Sequence, residues 1–482
     1  MKFLDLPRKS GKFWLGLTLF LTLGAWGVFE CLRVRPPLRG ELEFAAKRPV
    51  LKVSVPVTGT VAKRGYLRTG IEWVSDKLSL EKKVSRKASF GDHFQELRFS
   101  GAGEQEEIGE IEQWTENLEK RFLARYPEFT ISYKAVPAEE NGFLRWLELS
   151  ESKGVDPWKD LRNISQSKRF DLPPELEKFV DEGGPWPAAE MAAWRLGHEP
   201  ILAELREIGL CSNQSAAGVE LGRYFFLSGG FAMECLDVLK LDARDQIERG
   251  QVEEAMKAIA AGRGMAEHFL RIETPTFMMA TIGNLMRLDI QNFAFEEIMP
   301  LVPKEQFAVE DWEKALLPRV PTPRDFAKIL QGEWHMMRNY WVLPMVCNAE
   351  DPKYPRDPAA LLDFLALNFL HYQTAFSGKT VADWKGAAFP LPLDSEHLST
   401  TSQEFVEELV FRDWYRGYER LVEQYGLEQA VFTVMKRGGV PVDGVHGQRY
   451  EWDPVTRELG PPSTPEFDEM RLDPIVLPHL PL

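Results

Sequence analysis

Eight histidines could serve acid–base or metal chemistry in this 482-residue chain, and their spacing decides which. His93, His198, His268, His335, His371, His397, His446 and His479 include no HExxH, no HxH and no pair four residues apart. The helix-borne pair that grips a catalytic zinc is therefore missing. Glu267–His268 and Glu333–x–His335 come nearest to acid–base pairs. Adjacent residues of a helix point about 100° apart and i,i+2 residues nearly opposite, so neither pair shares a face. These side chains are expected on helix surfaces or as hydrogen-bonded core groups, and His371, at the end of an apolar stretch, in the core. Serine chemistry lacks a GxSxG elbow, and no SxxK comes with its companion motifs. Ser228 beside Gly229 and Gly230 reads as a place where helices approach closely. GxxxxGK[ST] and GxGxxG are both missing, and Ala261–Gly262–Arg263–Gly264 is helical in context rather than a phosphate loop.

Cys31, Cys211, Cys235 and Cys347 form no CxxC, which removes zinc ribbons and thioredoxin-type redox chemistry. Cys211 and Cys235 either bridge in an oxidising envelope or stay as buried thiols. Fourteen tryptophans, among them Trp312, Trp334, Trp341 and Trp414, suit a carbohydrate or peptide platform, but interhelix packing is the expectation. Met278, Met279 and Met286 are read the same way. The acidic runs at 104–107 and 407–408 lack calcium-loop spacing and read as solvated faces. No residue is assigned a catalytic role, and no cofactor or metal is expected.

The elements that would carry these residues are mostly helical. Ile108, Ile111, Trp114, Leu118 and Phe122 line one face of a helix over 104–122, closed by Pro127, and 129–136 alternates like a short strand. The stretch 186–208 reads as two helices broken at His198–Glu199–Pro200. A helix over 229–249 stops at Gly250, and another over 251–272 follows at once. That elbow resembles the turn of a tetratricopeptide hairpin, but the pattern does not recur about 34 residues later, so no repeat array is expected. Thr274–Pro275 reads as N-cap and N1 of a helix to about 299, and Thr322–Pro323 with Asp325 as the next start. Residues 361–371 are apolar nearly all round and predict a buried helix. Thr401 with Glu404 predicts a capping box for a helix to about 425, and 448–459 a hairpin turning at Asp453–Pro454. The expected fold is mainly α: an irregular helical-hairpin bundle after one N-terminal transmembrane helix, with a small β-hairpin near the C-terminus. Its expected divisions are a signal anchor (1–29), a basic, mostly irregular linker (30–103), a helical domain (104–440) and a loop-rich C-terminal segment (441–482).

The formal charge is −15, but it is unevenly placed. Residues 1–100 carry 19 Lys and Arg against 9 Asp and Glu, so from totals of 58 and 73 the rest is strongly acidic. Nucleic acid is a poor partner for such a body. The basic stretch is either a solvated linker or a segment held near anionic headgroups. Lys2, Arg8, Lys9 and Lys12 precede an uncharged run over 13–29, which directs export or membrane insertion. As a helix that run spans roughly 25 Å, slightly short of a typical hydrocarbon core. Trp14 and Trp26 sit near its ends. Cleavage after Gly27 competes with retention as an anchor, and the anchor is favoured. Bulky Phe29 and acidic Glu30 before Cys31 argue against lipidation. The expected location is the inner (cytoplasmic) membrane, single-pass, with the C-terminal body in the periplasm.

Several phrases together resemble a class of signal-anchored α-helical envelope proteins of planctomycete and verrucomicrobial bacteria. They are Pro137–Ala138–Glu139–Glu140–Asn141; 250–275 with Glu253–Glu254–Ala255 and Glu273–Thr274–Pro275–Thr276; 311–316 followed by 326–333; and 418–425 with Pro441–Val442–Asp443 and Gly447–Gln448–Arg449–Tyr450. Members usually have Asp-Pro where this chain has Asp443–Gly444, and a longer step to the Gly-to-Tyr segment. The resemblance covers about 104–460 and implies an envelope location and a helical fold, with no catalytic residues.

The resulting expectation is a membrane-tethered envelope protein, leaning non-enzymatic, that binds or scaffolds a protein partner. The alternative is an envelope hydrolase whose site residues lie far apart in sequence. The orientation is directly testable. A reporter active only in the cytosol, fused at the C-terminus, should be silent, and an active fusion reverses the assignment. Recovery of a mature chain beginning at Val28 would instead show cleavage.

Overall fold

The computed structural model of the protein describes residues 120–155, 169–219, 228–317, 320–337, 358–377, 411–445 and 447–462, with short pieces between 379 and 403 and from 472 to 477. The expected anchor, the linker, the first part of the 104–122 helix and the Thr401–Glu404 box lie outside these residues. Among the described residues no helix is long and apolar enough to cross a membrane.

The described chain is mainly helical. Its order is α1 (Gly142–Ser152), α2 (Pro174–Glu182), α3 (Ala188–Leu210), α4 (Gly229–Glu248), α5 (Val252–Leu270), α6 (Phe277–Phe293), α7 (Val309–Leu316), α8 (Pro323–Met337), α9 (Pro358–Phe376) and α10 (Phe411–Arg437). Side-chain caps open several of them. Asn141 accepts from Leu144 N–H at the start of α1, and Ser228 accepts from Phe231 N–H at the start of α4. Each satisfies an amide that has no partner within its helix. Ser228 is thus a cap. Thr322 donates through its N–H and hydroxyl to Asp325, as its spacing predicts.

Helix α5 lies at the centre, packed on α3, α4 and α6 and touched by α1 and α7. Its small residues make this possible: Ala255, Ala258, Ala261, Gly262 and Ala266 are buried. The closest crossing is with the end of α3. A Cβ on Gly264 would fall 1.8 Å from the Gly209 carbonyl oxygen, and one on Gly209 would fall 2.1 Å from that of Ala261. Between α4 and α5, Gly250 takes a φ of +73°, which lets the chain reverse within one turn, as expected from the sequence.

Four expectations need correction. Residues 130–136 form no strand, because the backbone N–H of Lys134 is taken by the Glu273 carboxylate rather than by a neighbouring strand. Helix α3 runs unbroken through Pro200. The residue whose carbonyl Pro200 cannot engage, Leu196, is 88% exposed, so water can serve that carbonyl while Met191, Trp194, Ile201, Leu202 and Leu205 pack on both sides. Helix α6 starts two residues late, with Thr276 as N-cap accepting from Met279 N–H, and passes through a π turn at Ala294–Ile298. Helix α10 continues past Tyr425 to Arg437, because Leu427, Val431, Phe432 and Val434 keep an apolar face buried.

Helix α9 is the buried apolar helix foreseen at 361–371, although it extends to Phe376 and His371 is only half-buried. The foreseen hairpin forms from β1 (Glu451–Asp453) and β2 (Glu458–Gly460), with Trp452 opposite Leu459. A third strand, β3 (Ile475–Val476), pairs antiparallel with β2 and was not foreseen. Asp443 accepts N–H bonds from Val445 and Gln448.

The α3–α5 crossing yields a contrast. Gly264→Ala must push two backbones apart and should lower stability by about 1–3 kcal/mol or more. Gly197→Ala, on an exposed stretch of α3 with open space around it, should raise it by up to about 1 kcal/mol. Urea unfolding of both variants measures the difference, and equal midpoints would refute the crossing.

Candidate functional site

The chemistry-bearing groups of the described body lie between helices. On α4 the buried stripe Cys235, Leu239, Asp242, Gln246 places a carboxylate in line with apolar neighbours. Asp242 has no exposure, and two guanidinium groups from α3 meet it. Arg206 donates through Nε and Nη2 at 2.5 Å each, and Arg195 through Nη1 at 3.2 Å. Arg195 also reaches Asp245 at 2.7 Å and Glu199 at 2.7 and 3.1 Å. Burial opposes the charge on Arg195, but Glu199, Asp242 and Asp245 outweigh it and hold its pKa above the ordinary value.

A second centre joins α6 to α10. Arg287 has no exposure and donates through Nη1 to Glu428 at 2.5 Å and to Gln291 at 3.1 Å. Its guanidinium carbon lies 3.4 Å from the centroid of the Tyr425 ring, a cation–π contact in a dry setting. Burial pushes the Tyr425 phenol up, so the ring facing Arg287 is neutral. Burial likewise opposes the charge on Arg287, and Glu428 overcomes it.

Two further centres follow the same pattern. Lys240 on α4 sits between Asp237 at 3.0 Å and Asp289 of α6 at 2.5 Å. Burial pushes Asp237 up to about 6 against the pull of Lys240. Arg125, in the helical turn before α1, grips Asp363 of α9 through Nε at 2.8 Å and Nη2 at 3.1 Å, and the Tyr126 hydroxyl donates to the same carboxylate.

The histidines singled out by spacing serve the backbone. His268 Nε2 lies 2.8 Å from the Ile208 carbonyl, His335 Nε2 lies 2.9 Å from that of Phe129, and His198 Nδ1 lies 2.7 Å from that of Trp194. A carbonyl only accepts, so each of these nitrogens carries the proton. Burial lowers His268 to about 4 and keeps it neutral. Glu267 pairs with Arg271, whereas Glu333, on α8, accepts from the Phe277 N–H. Neither carboxylate is brought to the histidine beside it in sequence. A hydroxyl–carboxylate pair does occur, Ser215 Oγ to Glu273 at 2.7 Å, but Ser215 has no exposure and its Oγ also accepts from Ala217 N–H. It ties the 211–219 loop to the start of α6.

Trp312 and Trp334 are core residues, and Trp334 stacks on both Phe122 and Phe129, at 4.6 and 4.2 Å. Met279 and Met286 are buried, with Met278 packed against the same core. Cys211 and Cys235 are free thiols. Among the described residues no group of three or more His, Cys, Asp or Glu could hold a metal ion. His93, His397, His446, His479, Trp341, Cys31, Cys347, the acidic runs at 104–107 and 407–408 and the side chain of Trp414 lie outside the described residues.

These groups can hold helices in register. Sequence reasoning passed over Arg195, Arg206, Asp242, Arg287 and Glu428 because no motif contains them. The available signal was a charged residue continuing an otherwise apolar helical stripe, as Asp242 and Arg287 do. Comparison of the chain with protein-family models, curated proteins and solved structures finds no match.

Proposed function

We propose that the chain is a non-enzymatic, membrane-tethered envelope protein whose helical body binds or scaffolds another protein. The body lies in the periplasm on this reading, held to the inner membrane by residues 13–29. The observation that carries the reading is the commitment of buried charge to interhelix pairs, Asp242 with Arg195 and Arg206 foremost. Catalytic carboxylates and bases are usually left with room for a substrate and with a function still to perform. Here Asp242, Asp363 and Glu428 are used in holding the scaffold. The uncharged run after four basic residues supports the tether. The resemblance to signal-anchored helical envelope proteins agrees with the envelope location.

The test is crosslinking in intact cells, then capture of the full-length chain from solubilised membranes. The expected result is a protein partner at constant stoichiometry, with the chain itself resisting an alkaline wash of the membranes. Release of the chain by that wash would remove the tether. Hydrolysis of ester, peptide or glycoside probes that copurifies with the chain would replace the scaffold with the hydrolase alternative.

A further inference from the structure

Helix α8 meets the start of α6 at two consecutive residues. A Cβ on Gly332 would lie 2.3 Å from the Pro275 carbonyl oxygen and 2.7 Å from that of Thr274, so α8 rests on the backbone leading into α6. One residue further, Glu333 Oε2 accepts from the N–H of Phe277, the first residue of α6, at 3.1 Å. Glu333 is 3% exposed, and Phe277 and Phe326 pack edge to face at 5.8 Å across the same joint.

The charged and titratable groups of the surrounding elements are engaged elsewhere. Arg271 pairs with Glu267, while Glu273 accepts from Lys134, Ser215 and Ala216. On α6, Arg287 pairs with Glu428 and Asp289 with Lys240. On α9, Asp363 is held by Arg125 and Tyr126, and His371 lies against Tyr372. On α8 itself, Asp325 caps Thr322, His335 binds the Phe129 carbonyl, and Arg324 and Lys328 are exposed. On α10, whose Tyr418 packs on Phe326, Arg420 and Glu423 have partners of their own, and among the described residues no cation pairs with Glu333.

We propose that Glu333 is a proton-dependent latch: as the neutral acid it holds α8 on the start of α6, and its ionisation loosens that joint. Burial pushes its carboxyl up to about 8, with the Phe277 N–H pulling weakly the other way. The sign follows. The closed joint keeps a proton that an opened, solvated Glu333 releases, so the latch is tightest below the ordinary carboxylate range. It weakens as pH rises, and the effect levels off above about 8. Linkage makes the opening constant rise on the order of tenfold per pH unit across that window. A periplasmic body, facing the medium's pH, would meet such a range directly.

The test is amide hydrogen exchange on the full-length chain in detergent at pH 6 and 8, corrected for intrinsic rates. In the native chain, opening of 323–337 and 274–280 should increase well over tenfold between the two, beyond any change in α3–α5. Glu333→Gln keeps an acceptor for Phe277 but cannot ionise, so its joint should be equally protected at both values. A native chain whose α8 protection is unchanged between pH 6 and 8 overturns the proposal whatever the variant does. A Glu333→Gln variant with the native pH response overturns it as well.

Discussion

Asp242 sets the terms for the body. A carboxylate with no exposure, within α4, costs several kcal/mol to desolvate unless cations meet it. Both cations come from α3. Arg195 and Arg206 are eleven residues apart, about three helical turns, so they share a face only if the helix between them is continuous. This accounts for the passage of α3 through Pro200. A break there would rotate one guanidinium away and leave the carboxylate half-matched. The Gly209–Gly264 crossing then brings the end of α3 onto α5, so the same helix that neutralises α4 also packs on its partner.

The other buried charges extend this logic along the chain. Arg287 with Glu428 links positions 141 apart, and Arg125 with Asp363 links positions 238 apart. Each joins an early helical segment to one much later in the chain. Such pairs add little net stability over well-packed apolar residues, but removing one partner leaves a buried charge exposed to no solvent. Their effect is to select one arrangement of helices whose apolar faces could pack in several ways.

Much of the helix plan was legible because capping residues and apolar periodicity are local. Gly250, Thr322 with Asp325, and the apolar run of α9 each announce themselves within a few residues. Reading failed where a distant contact decided. Pro200 is a helix breaker by itself, and here Arg195 and Arg206 on either side of it are both held by Asp242 of α4. Thr274–Pro275 looks like a cap, but Glu273 is drawn to Ser215 and Lys134, and the helix waits for Thr276. The polar centres were less legible still. Asp242, Arg287 and Glu428 match no spacing rule, since their partners lie on other helices and only the folded chain brings them together.

Equilibrium unfolding in denaturant measures the Asp242 cluster most directly. Asp242→Leu alone, which takes from Arg206 its two close hydrogen bonds and from Arg195 one of its three carboxylates, should cost about 3–5 kcal/mol. Joint replacement of Arg195 and Arg206 by Met with Asp242 by Leu should recover most of that loss, since no charge is then left unmatched. A single variant that loses less than about 1 kcal/mol, within the range of ordinary surface pairs, would contradict the claim that this buried charge governs the fold.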